Sequence, residues 1–455
     1  MIWPKWKVAC VLCTLLAVGY YLRSESLWQT VVVPPAIRAD ARDYFMYAYN
    51  VYHHGVYSLD PRGLSEETQI GDILPDAVRS PGYPLYIMLF MGSLPISVFL
   101  AEVLFSQVII STLTVAVAFF LFRMQMGTGW GFAAALMVAL SPHLIVVNSY
   151  LLTETLFCFF LLLTAWSFYA AVEKPAWKRG ALFGLTLAGA CLIRPSLQYF
   201  PAVAGLFLCA AVGKRNGLRL AAAMLLGFFV TMSPWMVRNV VTLKRISDDT
   251  IAVGSLHHGI YPNFMYEGLR ESYGYPYRFD PRTPEIGKDV GSVMQEIASR
   301  FRRAPLEHAV WYLINKPRAL WSWNIVQGQG DIFIYSVQQT PYASQPLFQW
   351  SRQLMKWLHE PLVALCWLGC LLVWLPAVAG NIQRDRLASL RFFALLAFYF
   401  TFIHMLAAPF PRYSIPLRPL QYGMAMFTLS LIPAYLKTRL RRRAAPMGGQ
   451  ETKPV

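Results

Sequence analysis

VFLAEVLFSQVIISTLTVAVAFFLF, residues 98–122, decides the fold class: its one charged residue is Glu102. A membrane-crossing helix needs about 20 mostly apolar residues, and this stretch supplies them. Nine further apolar segments lie either side of it: 5–23, 129–148, 150–172, 179–194, 196–213, 218–238, 359–380, 390–408 and 414–436. Segment 82–94 is shorter and bounded by Pro81, Pro84 and Pro95, which suits an interfacial or re-entrant helix. Pro195 marks a tight turn between two spans. The chain of 455 residues is 56% hydrophobic and 14% charged, with a mean hydropathy of +0.41. Soluble domains carry about 25% charged residues, so too little polar surface is present to cover several of them. Soluble enzymes, disordered scaffolds and nucleic-acid modules are excluded. The expectation is an all-α polytopic membrane protein with about 10–12 transmembrane helices, ten of them counted here, and interfacial helices in long outer-face loops.

The net charge of +16 is explained by placement. Lys and Arg concentrate on cytosolic loops, and seventeen of the forty bases fall in alternate connections and ends. They are Lys5 and Lys7; Arg123; Lys174, Lys178 and Arg179; Lys214, Arg215 and Arg219; Arg384, Arg386 and Arg391; then Lys437, Arg439 and Arg441–Arg443. Only Glu173 and Asp385 are acids between them. This pattern predicts an uncleaved first span, both termini cytosolic, and long outer segments at 24–97 and 239–358. The divisions are then a membrane module over 1–238, an outer region over 239–358, membrane helices over 359–440 and a basic tail over 441–455. All seven cysteines, Cys10, Cys13, Cys158, Cys191, Cys209, Cys366 and Cys370, lie in expected spans, so the outer loops hold no disulfide framework.

The first outer segment carries eight acids: Glu25, Asp40, Asp43, Asp60, Glu66, Glu67, Asp72 and Asp76. Residues 43–52 read as a helix with an aromatic face, and Tyr44 on it suits the wall of a substrate cavity. Asp43 suits the helix N-cap or a second catalytic acid, and Asp40, just ahead of the helix, is free to take a proton from an acceptor hydroxyl. Ser80-Pro81-Gly82-Tyr83-Pro84-Leu85-Tyr86 is a rigid turn whose Tyr83 and Tyr86 suit either a cavity wall or an ordinary interface. Glu154, at the outer end of its span, shares a side with Asp40, and the pair could orient an acceptor or hold a divalent cation. Glu102 is the rival membrane acid. Arg194, Arg238 and Arg412 sit at outer span ends, against the positive-inside trend, where a guanidinium fork matches phosphate oxygens. Interfacial snorkelling is the bland alternative. His257-His258 has no metal-spaced partner and suits a loop lining the site, as does Tyr413 beside Arg412. His404 is a weaker candidate.

These motifs resemble the integral-membrane glycosyltransferases of the GT-C class, in the bacterial group related to protein O-mannosyltransferases and lipid A aminoarabinose transferases. The resemblance rests on Asp40-Ala41-Arg42-Asp43-Tyr44 with Gly55 and Asp60, on Pro81-Gly82-Tyr83-Pro84-Leu85-Tyr86, and on Thr153-Glu154. It also rests on Pro234-Trp235-Met236-Val237-Arg238-Asn239, and on Pro411-Arg412-Tyr413 before a span with Pro416 and Pro419. Members commonly have Asp-Glu at the first site; here it is Asp40-Ala41. The resemblance implies a polyprenyl-phosphate sugar donor used on the periplasmic face of a bacterial inner membrane. It also implies Asp40 as base, Glu154 for acceptor positioning or metal, and arginines around the lipid phosphate. A divalent cation is the one cofactor it allows. The acceptor, a lipid such as lipid A, a glycan or a protein, stays open, as do the sugar and the oligomeric state. Two competing readings are a flippase of lipid-linked sugars, which would rest on charges inside the spans, and an oligosaccharide ligase or polymerase, which would rest on an Arg/His pair in the late outer loop. A structural assembly factor is the blandest.

Overall fold

The computed structural model describes residues 4–65, 69–92 and 95–444, with side chains apart from residue 70 and residues 434–444. Glu66, Glu67 and most of the basic tail, including the side chains of Arg441–Arg443, lie outside that set. The first half of the chain forms α1 (Lys5–Gln29), α2 (Asp40–His54), α3 (Gly82–Met88), α4 (Ile96–Met126), α5 (Thr128–Leu140), α6 (Pro142–Val146), α7 (Glu154–Glu173), α8 (Trp177–Ile193), α9 (Phe200–Val212) and α10 (Lys214–Leu243). Short helices and turns occupy 244–345, and the long helices Pro346–Leu372, Arg384–Leu406 and Arg418–Ala444 follow. The one sheet among the described residues pairs β1 (Val31–Val32) antiparallel with β2 (Val337–Gln339). The protein is a mostly helical, multi-pass membrane protein.

Every apolar segment of the sequence folds as helix, but the helices are unequal. Five of those described are long and apolar enough to cross a membrane: α1, α4, α7, α10 and Arg384–Leu406. The pair α5–α6, bent by 54°, makes a sixth if counted as one broken span. α8 and α9 hold 17 and 13 residues and are not among the five. The boundary expected at residue 359 falls inside the helix Pro346–Leu372, whose buried residues Phe348, Ser351, Met355, His359, Leu362 and Cys366 follow a helical stripe through its polar first half. Around the Pro195 turn the chain runs from extended Arg194 into a short 3₁₀ segment, as expected. All seven cysteines are free.

Small residues let the helices close on one another, as is usual where lipid supplies no hydrophobic drive. A Cβ on Gly184 of α8 would lie 1.9 Å from the Met224 carbonyl of α10, and one on Gly227 of α10 would lie 2.2 Å from the Ala181 carbonyl. Those two positions admit only glycine at this spacing. Nearby, Phe168 and Phe392 stack with centroids 4.0 Å apart.

The break between α5 and α6 follows from Pro142, which has no N–H to offer the Val138 carbonyl one turn back. Unpaired backbone groups are costly in a membrane interior. Arg23 of α1, fully buried, supplies what is missing. It donates to the carbonyls of Val138 (3.1 Å), Ala139 (3.1 Å) and Gly19 (3.0 Å), and to Ser111 Oγ (2.7 Å). The sequence reading leaves Arg23 as a span end; the structure makes it a cap on a broken helix. Arg23→Met strands those carbonyls and is expected to cost about 2–4 kcal/mol, read as a lowered unfolding midpoint in detergent. An unchanged midpoint would remove this role.

Candidate active site

The region between α1 and α2 is pinned before it reaches the site. Tyr335 donates to the Arg38 carbonyl at 3.1 Å, and its ring lies 4.9 Å under the Arg38 guanidinium. Ala39 then adopts φ 47°, a left-handed value that non-glycine residues rarely take. α2 starts at Asp40, so Asp40 is its first residue and Asp43 its fourth. This corrects the expected positions: Asp43 is not the N-cap, and Asp40 does not precede the helix. Both carboxylates point from the first turn toward the same arginine.

That arginine is Arg79, which the sequence reading passed over. Its Nη2 donates to Asp40 Oδ1 at 2.7 Å and to Asp43 Oδ2 at 2.8 Å. On the other side Arg412 Nη2 donates to Asp40 Oδ2 at 2.6 Å, while Arg412 Nε donates to Glu154 Oε1 at 3.2 Å. Arg194 Nη2 reaches the same Glu154 oxygen at 3.4 Å. The result is an alternating row: Asp43, Arg79, Asp40, Arg412, Glu154, Arg194. Its formal charges cancel. Glu154 and Arg412 are buried, whereas the Asp40 side chain keeps 28% of its surface open. Glu154 Oε2 and Arg194 Nη1 are buried without a partner, so one acceptor and one donor remain available inside the site.

Each member is set by its element. Glu154 opens α7, where the partial positive charge of the helix N-terminus favours a carboxylate. Arg194 ends α8 in an extended conformation. Arg412 lies in the short helix Pro411–Ser414. Gly82, three residues after Arg79, packs on the end of α8 two residues before Arg194, where a Cβ would stand 2.7 Å from the Leu192 carbonyl. The Pro-Gly-Tyr turn is thus a docking point. Tyr413 faces the Arg194 guanidinium at 4.8 Å and that of Arg412 at 5.7 Å, and Tyr44 faces Arg79 at 5.5 Å. Tyr83 packs edge-on against Tyr44 and donates to Gln107 Oε1 at 2.9 Å; Tyr86 bonds Ser106.

Other expected residues go elsewhere. Arg238 donates to the carbonyls of Asp76 (2.7 Å) and Tyr57 (2.8 Å) and lies against Tyr57 and Trp235. It ties the first outer segment to α10 and touches no acid of the row. His257 bonds the Tyr261 hydroxyl, which donates to Asp280. His258 packs edge-on against Phe410, three residues from Tyr413, so it supports the Arg412 loop from behind. Burial pushes His258 down to about 4, which keeps it neutral near pH 7. His404 bonds the Phe400 carbonyl within its own helix. Glu102 is exposed on α4.

Burial alone would raise the Asp40 carboxyl, but Arg412 and Arg79 outweigh it and hold the group well below the ordinary carboxylate range. The folded value is depressed, so the pairing contributes fully above the ordinary value near 4 and is lost only as pH falls through the folded one. A cation shared by Asp40 and Glu154 does not fit this arrangement, since the Arg412 guanidinium already bridges them. Among the described residues no group of three or more His, Cys, Asp or Glu converges as a metal site.

Residues 80–237 match the family model described as dolichyl-phosphate-mannose-protein mannosyltransferase. No curated protein matches the chain by sequence. Among solved structures it is similar to the oligosaccharyltransferase AglB from Archaeoglobus fulgidus in complex with an inhibitory peptide and a dolichol-phosphate, at 14% identity and a TM-score of 0.51 over 99% of this chain and 53% of that one. The same enzyme tethered to an acceptor peptide gives 13% identity and a TM-score of 0.53, over 99% and 52%. ArnT from Cupriavidus metallidurans bound to undecaprenyl phosphate aligns at 12% identity and a TM-score of 0.42, over 99% and 84%. The chain spans about half the length of the oligosaccharyltransferase.

Removing Arg412 leaves the buried Glu154 with Arg194 alone. Arg412→Gln is expected to destabilise the protein by about 3–5 kcal/mol, and adding Glu154→Gln to recover part of that loss. Unfolding midpoints of the two single variants and the double variant give the coupling; strict additivity would dissolve the row as a unit.

Proposed function

Starting from the GT-C fold that this chain has, we propose that it is an inverting glycosyltransferase that moves a sugar from a polyprenyl-phosphate donor to an acceptor hydroxyl on the outer face of the membrane. The observation that carries the reading is the neutral row ending in an unpartnered Arg194 donor, with the partly open Asp40 inside it. A phosphodiester donor brings one negative charge. It competes with Asp40 and Glu154 for the forks of Arg412 and Arg194, which match phosphate oxygens bidentately.

The transfer balances as a single displacement. The acceptor oxygen attacks the anomeric carbon, Asp40 takes the acceptor proton, and the bond from that carbon to the phosphate oxygen breaks. The electron pair leaves on the lipid phosphate, whose charge grows by one as the arginines hold it. Glu154 Oε2 remains to accept from a sugar or acceptor hydroxyl. In the donor-free state Asp40 is a weak base, pinned between two guanidinium groups. Once phosphate draws Arg412 away, the carboxyl returns toward its ordinary range and becomes an effective one.

The orientation predicted by the charge distribution puts the row on the periplasmic side of a bacterial inner membrane, which suits a lipid-linked donor. The flippase reading gains nothing from Arg23, which is committed to backbone carbonyls. The ligase reading finds Arg300 of the late loop already paired with Glu296 at 2.9 Å and Asp280 at 3.7 Å.

Lipid mass spectrometry of a deletion strain is expected to show the unused sugar donor accumulating, cleared by the wild-type chain. Asp40→Asn, present at equal level, is expected to lower transfer about a hundredfold or more and to leave the donor in place; full clearance would overturn the assignment of the base. With purified protein, the acid limb of kcat/KM, which reports the free enzyme, is expected below the ordinary carboxylate value near 4. The acid limb of kcat is expected at higher pH, because the donor complex frees Asp40. Coincident limbs would rule out the exchange of partners.

A further inference from the structure

Lys316 of the late outer segment is fully buried. It donates to the carbonyls of Met405 at 2.8 Å and Ala407 at 3.0 Å, where the helix Arg384–Leu406 stops. The chain does not turn away at that level. Five residues on, Trp321 Nε1 donates to Thr401 Oγ1 at 3.0 Å. Thr401 lies about 8 Å back along that span from its outer end. The Trp321 carbonyl accepts from His359 Nε2 and the Trp323 carbonyl from His143 Nε2, both at 2.8 Å. His359 stands where the apolar run of the helix Pro346–Leu372 begins, and His143 is on α6 of the broken span. Residues 316–323 are therefore held between membrane helices. By Tyr335 the chain is back at the outer site, donating to the Arg38 carbonyl.

Non-helical backbone at membrane depth is tolerated only where protein encloses it. Trp321, Trp323 and Ile325 are buried, and the two histidines answer two carbonyls of the turn. The approach to that turn is helical throughout 305–320, and its two faces differ. Trp311, Tyr312, Lys316 and Leu320 are buried against the protein. Leu306, Val310, Leu313 and Ile314 recur at the i, i+4, i+7 and i+8 spacing of a single helix face. All four are exposed, Leu306 by 77% and Leu313 by 66%. Phe402 and Leu406 are exposed on the adjoining span, so the apolar stripe continues onto a membrane helix. Arg302 and Arg303, both exposed, stand just before the stripe. Exposed Arg318, at the lower end, starts out toward the helix N-terminus, the direction in which a long basic chain snorkels.

We propose that residues 305–323 form a re-entrant segment of the outer leaflet, with the stripe packed on phospholipid acyl chains and Arg302 and Arg303 at the headgroup phosphates. The charge pattern of the sequence leaves all of 239–358 outside the membrane; these contacts bring part of it in. Lipid then bears on one face of a helix whose other face carries Trp311 and Lys316, against the end of the span that leads to Arg412. The inference is independent of the sugar-transfer reading.

The test uses the full chain in liposomes of phosphatidylethanolamine and phosphatidylglycerol. A lipid-soluble diazirine, photolysed in the bilayer of the wild-type protein, is expected to label the 306–314 stripe, as read by peptide mass spectrometry. Leu313→Cys and Ile314→Cys are expected to lose reaction with a membrane-impermeant maleimide that Gln295→Cys, exposed on the preceding helix Val290–Arg303, takes up. The labelled peptide separates each from the native cysteines. Absence of diazirine label from the stripe, or maleimide uptake at Leu313→Cys equal to that at Gln295→Cys, would overturn the proposal. Protection from both reagents would also overturn it, and would leave a second copy of the chain as the cover.

Discussion

One guanidinium joins the parts of this protein that matter. Arg412 holds Asp40 of α2 with one nitrogen and Glu154 of α7 with another, and its backbone leads directly into the last helix. Two separate carboxylates on one side chain require a planar fork, and a lysine ammonium would satisfy neither direction as well. Because Glu154 is buried, losing Arg412 leaves it only the longer contact to Arg194 at 3.4 Å, so the bridge holds until an anion enters the site. The alternating row from Asp43 to Arg194 spreads this requirement over six groups, so the site is neutral as a whole while each member is strongly held.

The same accounting of unsatisfied groups shapes the scaffold. A helix that breaks or stops in the bundle exposes carbonyls that lipid cannot satisfy. Here basic side chains answer them. Arg23 answers the break at Pro142, and Lys316 answers the end at Ala407. The second of these sets where residues 408–412 begin, and Phe264, Trp311, Tyr312 and Phe410 then close a small apolar cluster behind it. Arg412 is thus aimed by the 244–345 segment as well as by its own helix. That gives the 244–345 segment a mechanical role in the site, although none of its side chains enters the acid row.

Apolar runs made the long helices legible, since hydropathy is a property of each segment alone. The helix Pro346–Leu372 was half missed because its outer portion carries Arg352 and Lys356. Its signal lies in the spacing of Phe348, Ser351, Met355 and His359 rather than in average hydropathy. Glu154, Arg194 and Arg412 could be singled out because charge at an outer span end is unusual, and Asp40 because it stands just before the expected aromatic helix. Arg79 escaped because its partners lie 36 and 39 residues away; the only local clue was a base just before the Pro81-Gly82 turn in an acidic segment. Arg238 carried the same sequence signal as Arg412 and does a different job, holding two backbone carbonyls. Position along a span identifies a polar group that needs a partner, but only the fold names the partner.

The row also bears on why such a site would not spend its donor on water. A general base that is always available would activate whatever hydroxyl reaches it. Asp40, held between Arg79 and Arg412, has little basicity until a competing anion takes one of those arginines. In the proposed reaction a lipid phosphate is that anion, and it arrives attached to the sugar that must be attacked. In the proposed reaction, base strength and electrophile therefore appear together. Arg79 works in the opposite sense. Anchored also to Asp43, it stays with Asp40 and keeps the carboxylate aimed while its second partner leaves. The pair of aspartates one helical turn apart then has a physical reason beyond capping, because Asp43 secures the arginine that orients Asp40.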